Sequence, residues 1–317
     1  MIYRKKAGLL LALVVVLTIV YVLSIVFDPA NRQSKAFAWL DTQLINMADR
    51  IEVYGINGDV ELVRKNNVWF SADEKPVKQG RVNDLFVALS KKQAYPERAS
   101  SSEARGRLGL NAENASRIVV KGGAGLPLLD LLVGNGDALK KEIYLRRAES
   151  NTIYSGDDLF SYFTDANPST WYDYHLFLED PSKSDFLLGP GFSRIDSVQR
   201  VEIKTPGKDP YSFTRNGTAW TITPSVNEPL DGFLIDSWLR TVLEAAADSF
   251  GTIAPETIEA NITLWFGDGS VKTIEAGPED SENFRNLKIS DSPYIYKISE
   301  WNFARLFREI NYFFKLV

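Results

Sequence analysis

The hydrophobic pattern changes character once along the chain. Residues 7–27 (AGLLLALVVVLTIVYVLSIVF) form a single uncharged apolar run, and beyond it apolar positions alternate in short stretches or recur at helical spacing. As a helix, the 21 residues of that run rise about 30 Å, the thickness of a bilayer's hydrocarbon core. Arg4, Lys5 and Lys6 precede it, and Asp28 and Pro29 follow. The positive-inside rule therefore predicts a cytoplasmic tail over residues 1–6, a transmembrane helix over 7–27 and a body outside the cytoplasm. A cleaved secretory signal shares the basic start and the apolar stretch. Its apolar region is shorter, however, and closes on a small-residue cleavage site, and none is evident near Phe27.

Within the body the pattern repeats. LINMADRIEV (44–53) matches RIDSVQRVEI (194–203), pairing Ile45 with Ile195, Arg50 with Arg200, Ile51 with Val201 and Val53 with Ile203 at a constant offset of 150. ELVRKNNVWF (61–70) then matches SFTRNGTAWT (212–221), aligning Arg64 with Arg215 and Trp69 with Trp220 at an offset of 151. Both stretches alternate apolar and polar residues and flank turn-forming residues, Gly55 to Gly58 in one copy and Pro206 to Asp209 in the other. That is the signature of strand, turn, strand. Downstream, Val82, Leu85, Phe86 and Leu89 share a helical face, and Ile235, Trp238, Leu239 and Val242 repeat the spacing.

A second pair of strand groups follows, at 117–134 and 261–277, each with glycines at its centre. EIYLRRAESNTIYSGDDLFSYF (142–163) then corresponds to NLKISDSPYIYKISEWNFARLF (286–307), with Tyr154 answering Tyr296 and a short aromatic helix at the end. The expected fold class is α+β: an N-terminal transmembrane helix followed by two tandem copies of an antiparallel sheet with helices. Residues 28–46 are read as a membrane-proximal stalk that folds onto the body through Phe37, Trp39, Leu40 and Leu44. Residues 47–178 are the first repeat, 179–193 a Pro-, Gly- and Ser-bearing linker, and 194–317 the second repeat.

Composition narrows the range of partners. With 44% hydrophobic and 24% charged residues the body is expected to be folded throughout. Outside the anchor and tail, 33 basic residues face 41 acidic ones, which makes nucleic acid and anionic lipid surfaces poor partners. The absence of cysteine excludes disulfides, thiolate chemistry and an acylated lipoprotein anchor.

The candidate chemistry reduces mostly to structure. Gly122-Gly123-Ala124-Gly125 lacks the Lys-Ser/Thr of a phosphate loop, and Gly267-Asp268-Gly269-Ser270 stands at the same place in the second copy, so both are expected to be hairpin turns. Gly156-Asp157-Asp158 carries adjacent acids before an aromatic helix, where they suit the helix dipole. His175, the one histidine, lies near Asp173. A Ser-His-Asp arrangement would need both, but no nucleophile elbow accompanies them. Trp69 and Trp220 invite a carbohydrate-stacking reading, yet their equivalence in the two copies points to a shared core. Arg50 and Arg200 are expected to face solvent or form ion pairs. Trp301, Phe303, Leu306, Phe307, Ile310, Phe313 and Phe314 load the C-terminus with apolar bulk, which is expected to dock on its own sheet. No residue is nominated as catalytic, cofactor-binding or metal-binding, and no cofactor is expected.

The anchor, the I-E-V-turn-E-L-x-R-x-x-x-x-W hairpin, the amphipathic helix, and the later I-Y strand with its aromatic helix and Trp171-Tyr172-Asp173 resemble the bacterial family called domain of unknown function 4340. The resemblance covers nearly the whole external body. It implies a companion of ABC transporters of the gliding-motility type, working beside an ATPase, a permease and a larger anchored subunit. The expected function is thus a non-catalytic scaffold subunit at the bacterial inner membrane, its bulk periplasmic. An envelope glycan hydrolase or a glycan-binding module is the alternative.

Overall fold

The computed structural model describes residues 14–21, 36–111, 113, 115–136, 142–178 and 192–314. Within the expected anchor, residues 14–21 are helical (α1) with exposed side chains, and Thr18 Oγ1 donates back to the Val14 carbonyl at 2.8 Å. The rest of the 7–27 span lies outside the described residues. So do the 1–6 tail, residues 28–35 of the stalk and residues 179–191 of the linker. Among the described residues no helix is long and apolar enough to cross a membrane.

The first copy opens with β1 (Ala36–Phe37) and the short helix α2 (Thr42–Asn46), whose first turn is capped by Asp41. The meander β2 (Ala48–Gly55), β3 (Gly58–Lys65) and β4 (Val68–Ser71) follows. Its second turn places Asn66 and Asn67 at φ 51° and 66°, the left-handed geometry of a tight hairpin loop that asparagine tolerates. Helix α3 (Gln79–Ser90) and β5 (Gln93–Ala94) lead to β6 (Glu97–Ala99) and α4 (Ser102–Arg107). Then come β7 (Ser116–Gly122), β8 (Pro127–Gly136), β9 (Glu142–Arg147), β10 (Ile153–Asp157), α5 (Leu159–Phe163) and α6 (Pro168–Trp171).

The second copy runs β11 (Val198–Lys204), β12 (Tyr211–Asn216), β13 (Ala219–Thr223), α7 (Gly232–Leu243) and β14 (Ser249–Gly251). It continues with β15 (Ala260–Phe266), β16 (Val271–Glu279), β17 (Phe284–Ile289), β18 (Ile295–Ser299) and α8 (Glu300–Leu306).

Two antiparallel sheets of eight strands result, and their strand orders correspond one to one: β4-β3-β2-β7-β8-β9-β10-β6 and β13-β12-β11-β15-β16-β17-β18-β14. In each, the meander ends at one edge. The helix and the short strand after it carry the chain to the opposite edge before it returns to the middle. The duplication read from the sequence is therefore a duplication of topology. Registers agree as well, with Arg64 opposite Trp69 in one sheet and Arg215 opposite Trp220 in the other. Leu145 stands opposite Tyr154 and Leu287 opposite Tyr296. Strand β9 thus aligns with β17 two residues away from the end-to-end correspondence of the 142–163 and 286–307 segments, although the Tyr154–Tyr296 equivalence holds.

The chain divides into two compact units, Met1–Glu61 with Arg81–Asn167, and Leu62–Gly80 with Pro168–Val317. In the first, Val82, Leu85, Phe86 and Leu89 of α3 are buried as their spacing predicts. Trp39 and Leu40 are 1% exposed. Trp39 meets Phe37, Tyr95 and Tyr154 edge-on, and Arg147 donates to its carbonyl. In the second, Ile235, Trp238, Leu239 and Val242 of α7 join a core with Phe213 and Phe313. Phe303, Leu306 and Phe307 enter that core too, but Trp301 departs from expectation: it is 69% exposed, with the Arg305 guanidinium 4.8 Å from its ring.

Each copy also takes in a segment ahead of its first long strand. Phe37 and Ala36 pair with Gln93 and Ala94, and His175 bridges Ala246 at the corresponding place.

Candidate binding cavity

A cavity of about 600 Å³ opens in the second unit, to which all of its lining residues belong. Its wall begins with Trp69 and Phe70 on β4 and with Pro76 and Val77 just beyond. The loop that carries them is held tightly. Ser71 N–H donates to the Lys75 carbonyl at 2.9 Å, and Lys75 N–H returns to Ser71 Oγ at 2.9 Å. Tyr172 O–H donates to Asp73 Oδ1 at 3.2 Å, and Tyr294 O–H to the Glu74 carbonyl at 3.0 Å. Glu74 itself adopts φ 62°, a left-handed conformation that the surrounding bonds must enforce. The Lys75 ammonium stands 5.2 Å from the Phe250 ring and 5.4 Å from that of Tyr294, within cation–π reach.

Asp173, Leu176 and Phe177 form a second wall. Asp173 N–H donates to the Pro76 carbonyl at 2.9 Å. Burial pushes the Asp173 carboxyl up, but hydrogen bonds from the ring and backbone of His175 and the charge of that ring outweigh it, so the group sits below the usual carboxylate range. The ends of β15, β16 and β17 supply Phe266, Lys272, Ile289 and Ser290, and β18 supplies Tyr296. Tyr296 is fully buried, and among the described residues its hydroxyl finds no hydrogen bond of acceptable geometry. Burial raises its pKa, only partly offset by Ser292 nearby. Two cations stand at the wall. Arg194 reaches Asp268 and Ser270 Oγ, both at 3.3 Å, and Lys272 reaches Asp291 at 2.8 Å. Apolar surface with a few converging polar groups is the usual make-up of a small-molecule site.

The residues singled out from the sequence fall mostly outside this cavity. Both glycine clusters are hairpin turns, β7 to β8 and β15 to β16. Gly156 lies against Leu145 and Tyr95, where an added Cβ would come within 2.7 Å and 3.1 Å. Asp157 Oδ1 accepts from Leu159 N–H at 3.0 Å at the start of α5, so of the acidic pair it is Asp157 rather than Asp158 that caps the helix. His175 Nδ1 lies 2.5 Å from Asp173 Oδ1, which also accepts the His175 backbone N–H at 3.1 Å. Among the described residues no serine hydroxyl bonds to this histidine. Trp69 and Trp220 are 5% and 7% exposed and thus buried, not presented as stacking faces. Trp69 alone of the two lines the cavity. Arg50 pairs with Glu61 at 2.8 Å and Arg200 with Glu202 at 2.9 Å, both at the surface.

Sequence reasoning missed Arg194, Lys272, Ser290 and Tyr296 as a group. The cavity draws on segments as far apart as Trp69 and Tyr296, so no local spacing announces it. The one available hint was Tyr296 itself, whose equivalent Tyr154 has different neighbours.

No curated protein and no solved structure matches the chain. A family model described as Domain of unknown function (DUF4340) matches residues 69–264. That stretch reaches from β4 of the first sheet to β15 of the second and takes in well over half of the chain, so the protein belongs to the DUF4340 family.

Proposed function

We propose that this protein is a non-catalytic subunit of an ABC-transporter-type complex at the bacterial inner membrane. In this reading residues 7–27 anchor it, residues 1–6 face the cytoplasm, and the duplicated body holds a protein or polymer partner in the periplasm. The observation that carries the reading is the duplication. Two sheets of identical strand order supply extended, similar surfaces, while the polar residues that sequence offered for catalysis serve as turns, caps and internal pairs. The apolar run and its basic flank support the anchor. The resemblance to transporter companions supplies the expected neighbours, an ATPase, a permease and a further anchored subunit.

Affinity purification of the full-length protein from detergent-solubilised membranes of its native host tests this. Recovery of permease and ATPase subunits in stable proportion is expected. Recovery of the chain alone, under conditions that keep known transporters intact, contradicts it.

A further inference from the structure

We propose that the cavity of the second unit binds a single-chain anionic amphiphile, with the apolar chain against Trp69, Phe70 and Phe177 and the acid group at Arg194 and Lys272. This goes beyond the scaffold reading and does not depend on it. Three observations converge. First, the volume of about 600 Å³ lies within the range of small-molecule sites. A wall so rich in aromatic and aliphatic side chains gives water few partners.

Second, Tyr296 lines this space with its hydroxyl buried and, among the described residues, without a hydrogen bond of good geometry, a state that costs free energy. In the first copy the equivalent Tyr154 packs edge-on against Phe37 and Trp39, at 5.2 Å and 5.7 Å. Tyr296 borders the cavity instead, with Phe250 at 5.5 Å.

Third, the charges that line the cavity are unequally committed. Asp173 is occupied by both donors of His175. The two cations have highly exposed acids as their ion-pair partners, Asp268 with its side chain 62% exposed and Asp291 at 72%, and Arg194 also lies 4.4 Å from the Phe266 ring. Exposed ion pairs of this kind contribute little, so Lys272 and Arg194 can exchange them for a ligand carboxylate or phosphate at small cost. The donors left to recognise an acid are therefore a guanidinium, an ammonium and a phenolic hydroxyl, while Asp291, also on the wall, is largely exposed to solvent.

Photocrosslinking on the full-length protein in amphipol tests the assignment. Three diazirine probes are compared: a palmitic acid analogue, a lysophosphatidic acid analogue and an uncharged long-chain alcohol. The expected result is labelling by at least one acid probe on peptides covering residues 68–79 and 289–296, displaced by excess unlabelled palmitate or lysophosphatidate. Whichever acid labels better identifies the head group. Arg194→Gln combined with Lys272→Gln should reduce that labelling by about tenfold. Tyr296→Phe should reduce it as well while leaving thermal stability unchanged or raised, since it removes an unbonded hydroxyl. Labelling confined to residues 7–27, labelling that excess acid does not displace, equal labelling by the uncharged alcohol, or labelling insensitive to both variants would each overturn the proposal.

Discussion

At the residue scale, the buried charges of the second unit do structural work whose signs can be tested. The Asp173 carboxyl is depressed below its ordinary range by His175, against the upward push of burial. A carboxylate of this kind stabilises the fold above its unfolded pKa, and the contribution is lost as pH falls through the lower folded value. Asp173→Asn should therefore cost about 1–3 kcal/mol near neutral pH and flatten the decline of stability on the acid side. Thermal denaturation of wild type and variant across that range checks this, and parallel curves at every pH would contradict it. Arg285 is the second case. It is 8% exposed and bonds to Glu259 and Glu300 at 3.0 Å each and to the Gly277 carbonyl at 3.0 Å, with the Phe303 ring 4.4 Å away. Burial pulls its pKa down, but Glu300 and Glu259 more than compensate. Arg285→Met leaves those partly exposed acids facing one another and should destabilise by about 3 kcal/mol, the low end for a broken buried pair. Urea unfolding with unchanged slope and a lowered midpoint is the expected readout.

At the scale of elements, α3 and α7 were the most legible parts of the chain, because four apolar positions at helical spacing recur in both copies and all eight are buried. Leu85→Ala should cost about 2–5 kcal/mol and Trp238→Ala about 3–5 kcal/mol. The tryptophan also loses the bond its Nε1 donates to the Leu306 carbonyl at 2.8 Å. Val87, on the same helix but 65% exposed, should change stability by under about 0.5 kcal/mol when replaced by alanine. Chemical denaturation of the three variants checks the contrast. The meander strands were legible by alternation and by the Arg64–Arg215 and Trp69–Trp220 matches. Strands β6 and β14 were not. Each has three residues, too few for a period, and each is placed by pairing with β10 or β18 far along the chain. The same holds for β1 and for the bridge from His175 to Ala246. Such long-range pairs are set by the finished sheet, so a copy's opening segment is invisible to a comparison of local motifs.

At the scale of the whole molecule, the duplication was readable and the cavity was not, for one physical reason. Repetition leaves matching residues at near-constant offsets, whereas a cavity is bounded by whatever side chains fail to fill a space. Arg194, Lys272 and Tyr296 carry no shared motif and gain meaning only from their common wall. The most direct test of the repeated architecture is hydrogen exchange on the full-length protein, resolved to single strands. The account predicts the same order of protection in both copies: slow amides in the central strands β2, β7 and β8 and likewise in β11, β15 and β16, with faster exchange at the edges β4, β6, β13 and β14. Slow exchange in the centre of one sheet, with the corresponding strands of the other exchanging as fast as its edges, would contradict two copies of a single eight-stranded unit.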